Sequence, residues 1–264
     1  MSEAERWQPA AFDELAALLQ DELDVVGLAL GGSYARSPES LDAWSDVDAL
    51  LVVRDAALPR FFPDVTWLAP LGPLLGYEQH AMPEYGTLRV CFTDFRRFDL
   101  IVVPASQLGV PDGWAALAWR QRSAVFWRAE KTELASAPAA VPAPPPDTDF
   151  ERLVNAYWFK GVVAVSKVKR RDTVVALQLT LELVRDSLTL ALMLREREGA
   201  EWDQAVHELG EAAPPRSEAD MLNSLERGAL TFDWLAGAWS PDYEPRADIF
   251  CDWLDYTRFT LADS

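Results

Sequence analysis

Two apolar runs, parted by a glycine-rich turn and a pair of aspartates, constrain this chain most. Val25–Leu30 reads as a buried strand, and Val47–Val53 reads as a second. Between them stand Gly31-Gly32-Ser33 and, further on, Asp46-Val47-Asp48. The glycines permit a turn whose backbone can approach a phosphate closely. Side chains two apart on a strand point to one face, so the Asp46 and Asp48 carboxylates face one side. Two carboxylates opposite a glycine-serine turn suit a divalent metal that carries a nucleoside triphosphate. The plainer reading is a solvated turn with aspartates capping a strand.

A third acid belongs to the same pattern. Arg97-Phe98-Asp99-Leu100-Ile101-Val102-Val103 opens a β-branched apolar run with an aspartate. Glycine-serine, about a dozen residues, Asp-x-Asp between apolar residues, and a later strand-borne acid together resemble the nucleotidyltransferase superfamily, which includes DNA polymerase beta and the antibiotic adenylyltransferases. Further along, Asn155-Ala156-Tyr157-Trp158-Phe159-Lys160 and Lys167-Val168-Lys169-Arg170-Arg171-Asp172 are similar to the helical half of aminoglycoside 6-adenylyltransferases and their lincosamide-modifying relatives. The implied fold is α+β: a nucleotidyltransferase-type mixed sheet with flanking helices, followed by an all-α helical bundle.

The resemblance also implies a chemistry. AMP would pass from ATP to a hydroxyl of a small molecule, with two Mg2+ ions and release of pyrophosphate. Asp46 and Asp48 would bind the triphosphate metal, and Asp99 the second metal, with Asp99 as the leading base. Gly32 and Ser33 would meet the terminal phosphates. Arg36 would either pair with a phosphate oxygen or form a surface salt bridge with Glu39 or Asp42. Lys160 and Lys167, seven apart on one helical face, are candidates for reaching the triphosphate or members of a solvated basic face.

Composition narrows the partners. The formal charge of −18 is poor for holding nucleic acid, which relies on lysine and arginine to displace counterions. It would attract a cationic small molecule, although solubility alone also accounts for it, and the partner expected is a small-molecule acceptor that is cationic or hydroxyl-rich. No run of eighteen apolar residues lacks a charge, so no membrane span is expected. The first six residues do not form a basic region leading into an apolar core, and a cytoplasmic location is expected. Cys91 and Cys251 make no disulfide framework, and with His80 and His207 standing alone a structural zinc site is not expected. The sequence leaves the oligomeric state open.

Along the chain, residues 10–23 read as an amphipathic helix with Phe12, Leu15, Leu18 and Leu19 on one side. Strands are expected at 65–68, 88–92, 98–103 and 124–127, and an irregular loop at 72–86. Residues 135–146, rich in proline and alanine, mark a boundary. The division expected is a catalytic domain over 1–135, a linker over 136–148 and a helical acceptor-binding domain over 149–264. Helices are expected over 150–169, 172–198 with Asp172-Thr173 as cap and Gly199 as stop, 217–236 and 247–261.

In the long helix Gln178, Glu182, Arg185 or Asp186, and Thr189 form a polar stripe, with Val174 and Leu181 among the apolar positions on the other faces. Glu182 and Asp186 would receive a cationic acceptor, or the stripe is a solvent face or an internal Glu–Arg pair. Trp44 and Trp158 would stack on adenine or a sugar, whereas Trp234 and Trp253 are expected in the core. Two rival functions are a nucleotide-binding sensor without turnover and an antitoxin-like transferase that adenylylates a protein.

Overall fold

A computed structural model describes residues 6–37, 41–146, 149–199, 202–210 and 214–262. The chain divides into two compact units, 1–147 and 148–264.

The first unit is built on one six-stranded mixed sheet. Its strands are β1 (Val25–Leu30), β2 (Val47–Val53), β3 (Leu74–Ala81), β4 (Gly86–Phe92), β5 (Arg97–Pro104) and β6 (Ser123–Trp127), in the order β3-β4-β5-β2-β1-β6. β2 and β5 pair in parallel, and the other neighbours are antiparallel. The helices of this unit are α1 (Gln8–Gln20), α2 (Gly32–Arg36), α3 (Leu58–Phe61), α4 (Trp114–Arg120) and α5 (Lys131–Leu134).

Strand alternation divides the core. Val47, Ala49, Leu51 and Val53 of β2 join Phe98, Leu100 and Val102 of β5 in a large cluster that takes in Phe12, Leu15 and Leu19 of α1. The alternate residues Leu50, Val52 and Val103 form a smaller cluster with Ala115 and Ala118 of α4. Runs apolar on both faces are what a sheet covered on both sides requires.

Three local expectations are corrected. Residues 65–68 are no strand: Thr66–Leu71 forms a 3₁₀ helix, because Asp64 accepts a hydrogen bond from the Thr66 N–H at 2.8 Å and turns the chain there. The expected loop at 72–86 contains β3, which forms a hairpin with β4 and absorbs Gly76 at a register shift. There cross-strand pairing overrides the local glycine and proline signals. The first helix ends at Gln20, short of 23, and Leu23 is 80% exposed.

The second unit contains α6 (Phe150–Lys169), α7 (Thr173–Glu198), α8 (Asp203–Gly210), α9 (Glu218–Trp239) and α10 (Ala247–Ala262). α7 packs against α6, α8 and α9, and α10 against α6 and α9. Tyr157 and Phe232 stack with centroids 3.6 Å apart, and Trp158 and Phe250 complete an aromatic centre. Ser217 caps α9 by accepting from the Asp220 N–H at 3.1 Å. Asp172 precedes α7, yet its side chain makes no cap bond and instead accepts from Lys167 Nζ at 3.3 Å. Gly199 ends α7 at φ 106°.

α7 is not buried on all its apolar sides. Its buried residues are Ala176, Thr180, Leu183, Asp186, Ser187, Leu190, Ala191 and Leu194, on one side of the helix, while Val174 is 78% exposed and Leu181 46%. Trp253 is buried, but Trp234 is 56% exposed beside Trp202. Among the described residues no helix is long and apolar enough to cross a membrane.

Candidate active site

Asp48 and Asp99 are direct register partners across the parallel pair β2–β5. Both project from the sheet face that carries Leu50, Val52 and Val103, at the edge of the smaller apolar cluster. Asp46 lies one residue before β2, and its charge acts on both other acids. The three acids are therefore electrostatic neighbours.

The loop that delivers Asp46 is pinned from several sides. Gln8 is fully buried, and its Nε2 donates to the carbonyls of Asp42 at 2.7 Å and Ser45 at 3.1 Å. Trp7 Nε1 donates to the Ala43 carbonyl at 3.1 Å, and the buried Arg97 guanidinium donates to that of Trp44. Asp42 Oδ1 accepts from the Trp44 N–H at 3.0 Å and from Ser45 Oγ at 2.8 Å. Such anchoring removes backbone freedom before any ligand arrives.

The glycine turn packs directly on Asp48. The Gly31 N–H donates to the Asp48 carbonyl at 2.8 Å. Gly32 has φ 61°, and a Cβ there would fall 1.6 Å from Asp48 Oδ2. Only glycine meets both demands. A Cβ on Gly31 would stand 2.8 Å from Arg122 Nε. α2 starts at Gly32, so Ser33 lies in its first turn, and Arg36 is its exposed last residue. Glu39, one expected partner of Arg36, lies outside the described residues.

Electrostatics single out Asp48. Burial raises its pKa to about 6, the Asp46 and Asp99 charges push the same way, and Arg122 and Arg36 oppose them. Asp99 also sits above the ordinary carboxylate range, chiefly through burial, with Arg89 pulling it down and Asp46 pushing it up. A buried carboxylate whose pKa is pushed up by neighbouring acids is a donor that a divalent cation would relieve. By donor chemistry the trio fits a hard cation. Among the described residues no three acidic, histidine or cysteine side chains are gathered closely enough to enclose one. Asp99 is engaged by Arg89, whose Nε donates to its two oxygens at 3.2 and 3.3 Å.

Two arginines that sequence reasoning missed belong here. Arg89 on β4 is the register partner of Asp99 and bridges it to Glu78 on β3. Its signal was a charged residue inside Leu88-Arg89-Val90, a place where a strand spends an apolar position. Arg122, just before β6, donates through Nη1 to the Ala118 carbonyl at 2.9 Å, and its Nε is buried without a partner. Burial lowers its pKa while the Asp48 charge raises it.

In the second unit the candidates fare differently. Trp158 is completely buried, with Nε1 donating to Tyr243 Oη at 3.0 Å, so it packs the helical core and offers no face for stacking. Trp44 is likewise buried. Lys160 and Asp186, assigned separate roles from sequence, form one ion pair, their side chains only 12% and 7% exposed. Arg185 also donates to Asp186, at 3.0 Å. Asp186 is therefore already paired with two cations of its own unit. Lys167 pairs with Asp172, and Glu182 accepts from Gln178 at 3.1 Å.

A family model described as streptomycin adenylyltransferase matches residues 10–208. The chain is also similar to a solved structure, the crystal structure of an aminoglycoside 6-adenyltransferase from Bacillus subtilis. The identity is 14%, the match covers 98% of this chain and 99% of that one, and the TM-score is 0.33. No curated protein matches it.

Proposed function

From the premise that the chain belongs to the streptomycin adenylyltransferase family and is an adenylyltransferase, we propose that it moves AMP from ATP to a hydroxyl of a cationic or hydroxyl-rich small molecule, an aminoglycoside among the candidates. The observation that carries this reading is Asp48: paired in register with Asp99, pressed against Gly32, and held near pKa 6 among like charges. Membership of an enzyme family sets the non-catalytic sensor aside.

In this reading 1–135 is the catalytic domain, 136–148 the linker and 149–264 the acceptor-binding domain. Asp46, Asp48 and Asp99 would hold Mg2+, two ions in all, with Asp46 and Asp48 on the nucleotide side. Bound there, the ions supply charge neutralisation at the attacking and leaving oxygens. The acceptor oxygen bonds to the α-phosphorus, the bond to the bridging oxygen breaks, and pyrophosphate leaves. Asp99 takes the hydroxyl proton, a role its raised pKa suits. Gly32 and Ser33 meet the triphosphate through backbone N–H groups, and Arg36 and Arg122, the cations that act on Asp48, face the same charge. Lys160 is committed to Asp186, so its use on the nucleotide would require that pair to open.

The test is pyrophosphate release from ATP and Mg2+ across an aminoglycoside panel. Release with at least one acceptor is expected, and Asp48→Asn should lower it by roughly a thousandfold or more. No release with any acceptor, or an Asp48→Asn variant as active as the parent, would refute the reading.

A further inference from the structure

Glu78, Arg89 and Asp99 stand in one register row on three adjacent strands. The Arg89 guanidinium lies between the two carboxylates. Nε donates to Asp99 Oδ1 at 3.2 Å and to Oδ2 at 3.3 Å, while Nη1 donates to Glu78 Oε2 at 3.0 Å. The side chains are 33% exposed for Arg89, 25% for Asp99 and 14% for Glu78, so water screens the three only partly. Asp48 continues the row on the far side of Asp99.

We propose that Arg89 is a positioning residue, the resident counter-ion of Asp99, and that Glu78 tunes how strongly Arg89 competes with a divalent cation for that carboxylate. The inference rests on the reading of Asp99 as a metal ligand. Both Asp99 oxygens are engaged by one nitrogen, so a cation must displace that bond or share it. Loss of Arg89 removes the competitor and a positive charge together, and both changes favour the cation. Loss of Glu78 leaves Arg89 with one carboxylate fewer to serve and removes a negative charge, and both changes disfavour it. The two substitutions must therefore act in opposite directions, which general damage to the fold would not produce.

Isothermal titration of the full-length protein with Mn2+ alone, without nucleotide, reads this directly. Relative to the parent, Arg89→Gln should bind Mn2+ about fivefold more tightly and Glu78→Gln about threefold more weakly, as single charges at these separations act. Arg89→Lys, which keeps the charge, should stay within about twofold. Arg60→Gln, an equal change in net charge at an exposed pair with Glu22, should also stay within about twofold. If the parent binds Mn2+ and Arg89→Gln binds it no more tightly, the inference fails and the metal reading stands. If Arg89→Gln does not fold, Glu78→Gln decides: unchanged or tighter binding overturns the inference. A parent that binds no Mn2+ overturns both readings together.

Discussion

The two units treat Asp48 and Asp186, one candidate acid in each, in opposite ways. In the sheet unit Asp46, Asp48 and Asp99 stand near one another, and Asp48 is left with a pKa raised to about 6. In the helical unit the candidate ionic side chains have been matched: Lys160 with Asp186, Lys167 with Asp172. Asp233 likewise accepts from Tyr243 and from the backbone N–H groups of Arg246 and Ala247, fastening the start of α10. A buried charge with a good partner is architecture, whereas several like charges kept together cost stability and need a ligand to justify them. The difference separates candidate chemistry from scaffold better than residue type does.

The largest stability effect should fall in the helical unit. Asp186→Ala strands the Lys160 ammonium in a nearly closed site and should cost about 3–5 kcal/mol in urea unfolding. Exchanging both partners at once, Lys160→Met with Asp186→Leu, should cost much less. A loss below about 1 kcal/mol for the single change would break the comparison, because the pair would then not be structural.

Next comes the turn. Gly32→Ala must place a methyl group where Asp48 Oδ2 lies and hold φ near 61°. A loss of about 2 kcal/mol is expected, with weaker binding of a non-hydrolysable ATP analogue. Unchanged stability and affinity would remove the turn from the site.

The smallest effect concerns pH. A carboxyl whose folded pKa is raised from 3.8 to about 6 binds its proton more tightly folded than unfolded. Metal-free protein should therefore lose stability as pH climbs from about 4 to about 6, by on the order of 1–2 kcal/mol, and not regain it above that. Asp48→Asn should flatten this segment of the stability profile in the presence of chelator, and its urea midpoint at pH 8 should exceed that of the parent. An identical profile in the variant would show that Asp48 is not held under like-charge stress.

Much of this was legible in the chain. The apolar runs 25–30 and 47–53 are strands at those bounds, and 150–169 is one helix, because long periodic or continuous apolar segments report their own state. Asp48 and Asp99 were legible as strand-borne acids. What escaped was anything decided by a distant partner. β3 exists because β4 pairs with it, against a local texture of glycine and proline. Trp158 fills a helical core because Tyr243, Phe232 and Phe250 surround it. Arg89 carries no motif, and only the register of β4 on β5 makes it the neighbour of Asp99.

By itself the sequence determined the covalent inventory and part of the local geometry: that 25–30 and 47–53 extend, that 150–169 coils, and where glycine admits a left-handed turn. Those properties depend on side-chain shape and spacing within a few residues. Tertiary structure decided which charges meet: Asp48 beside Asp99, Arg89 between Asp99 and Glu78, Lys160 on Asp186. Charge interactions fall with distance and rise with burial, and both quantities exist only once strands have taken their register and helices their packing.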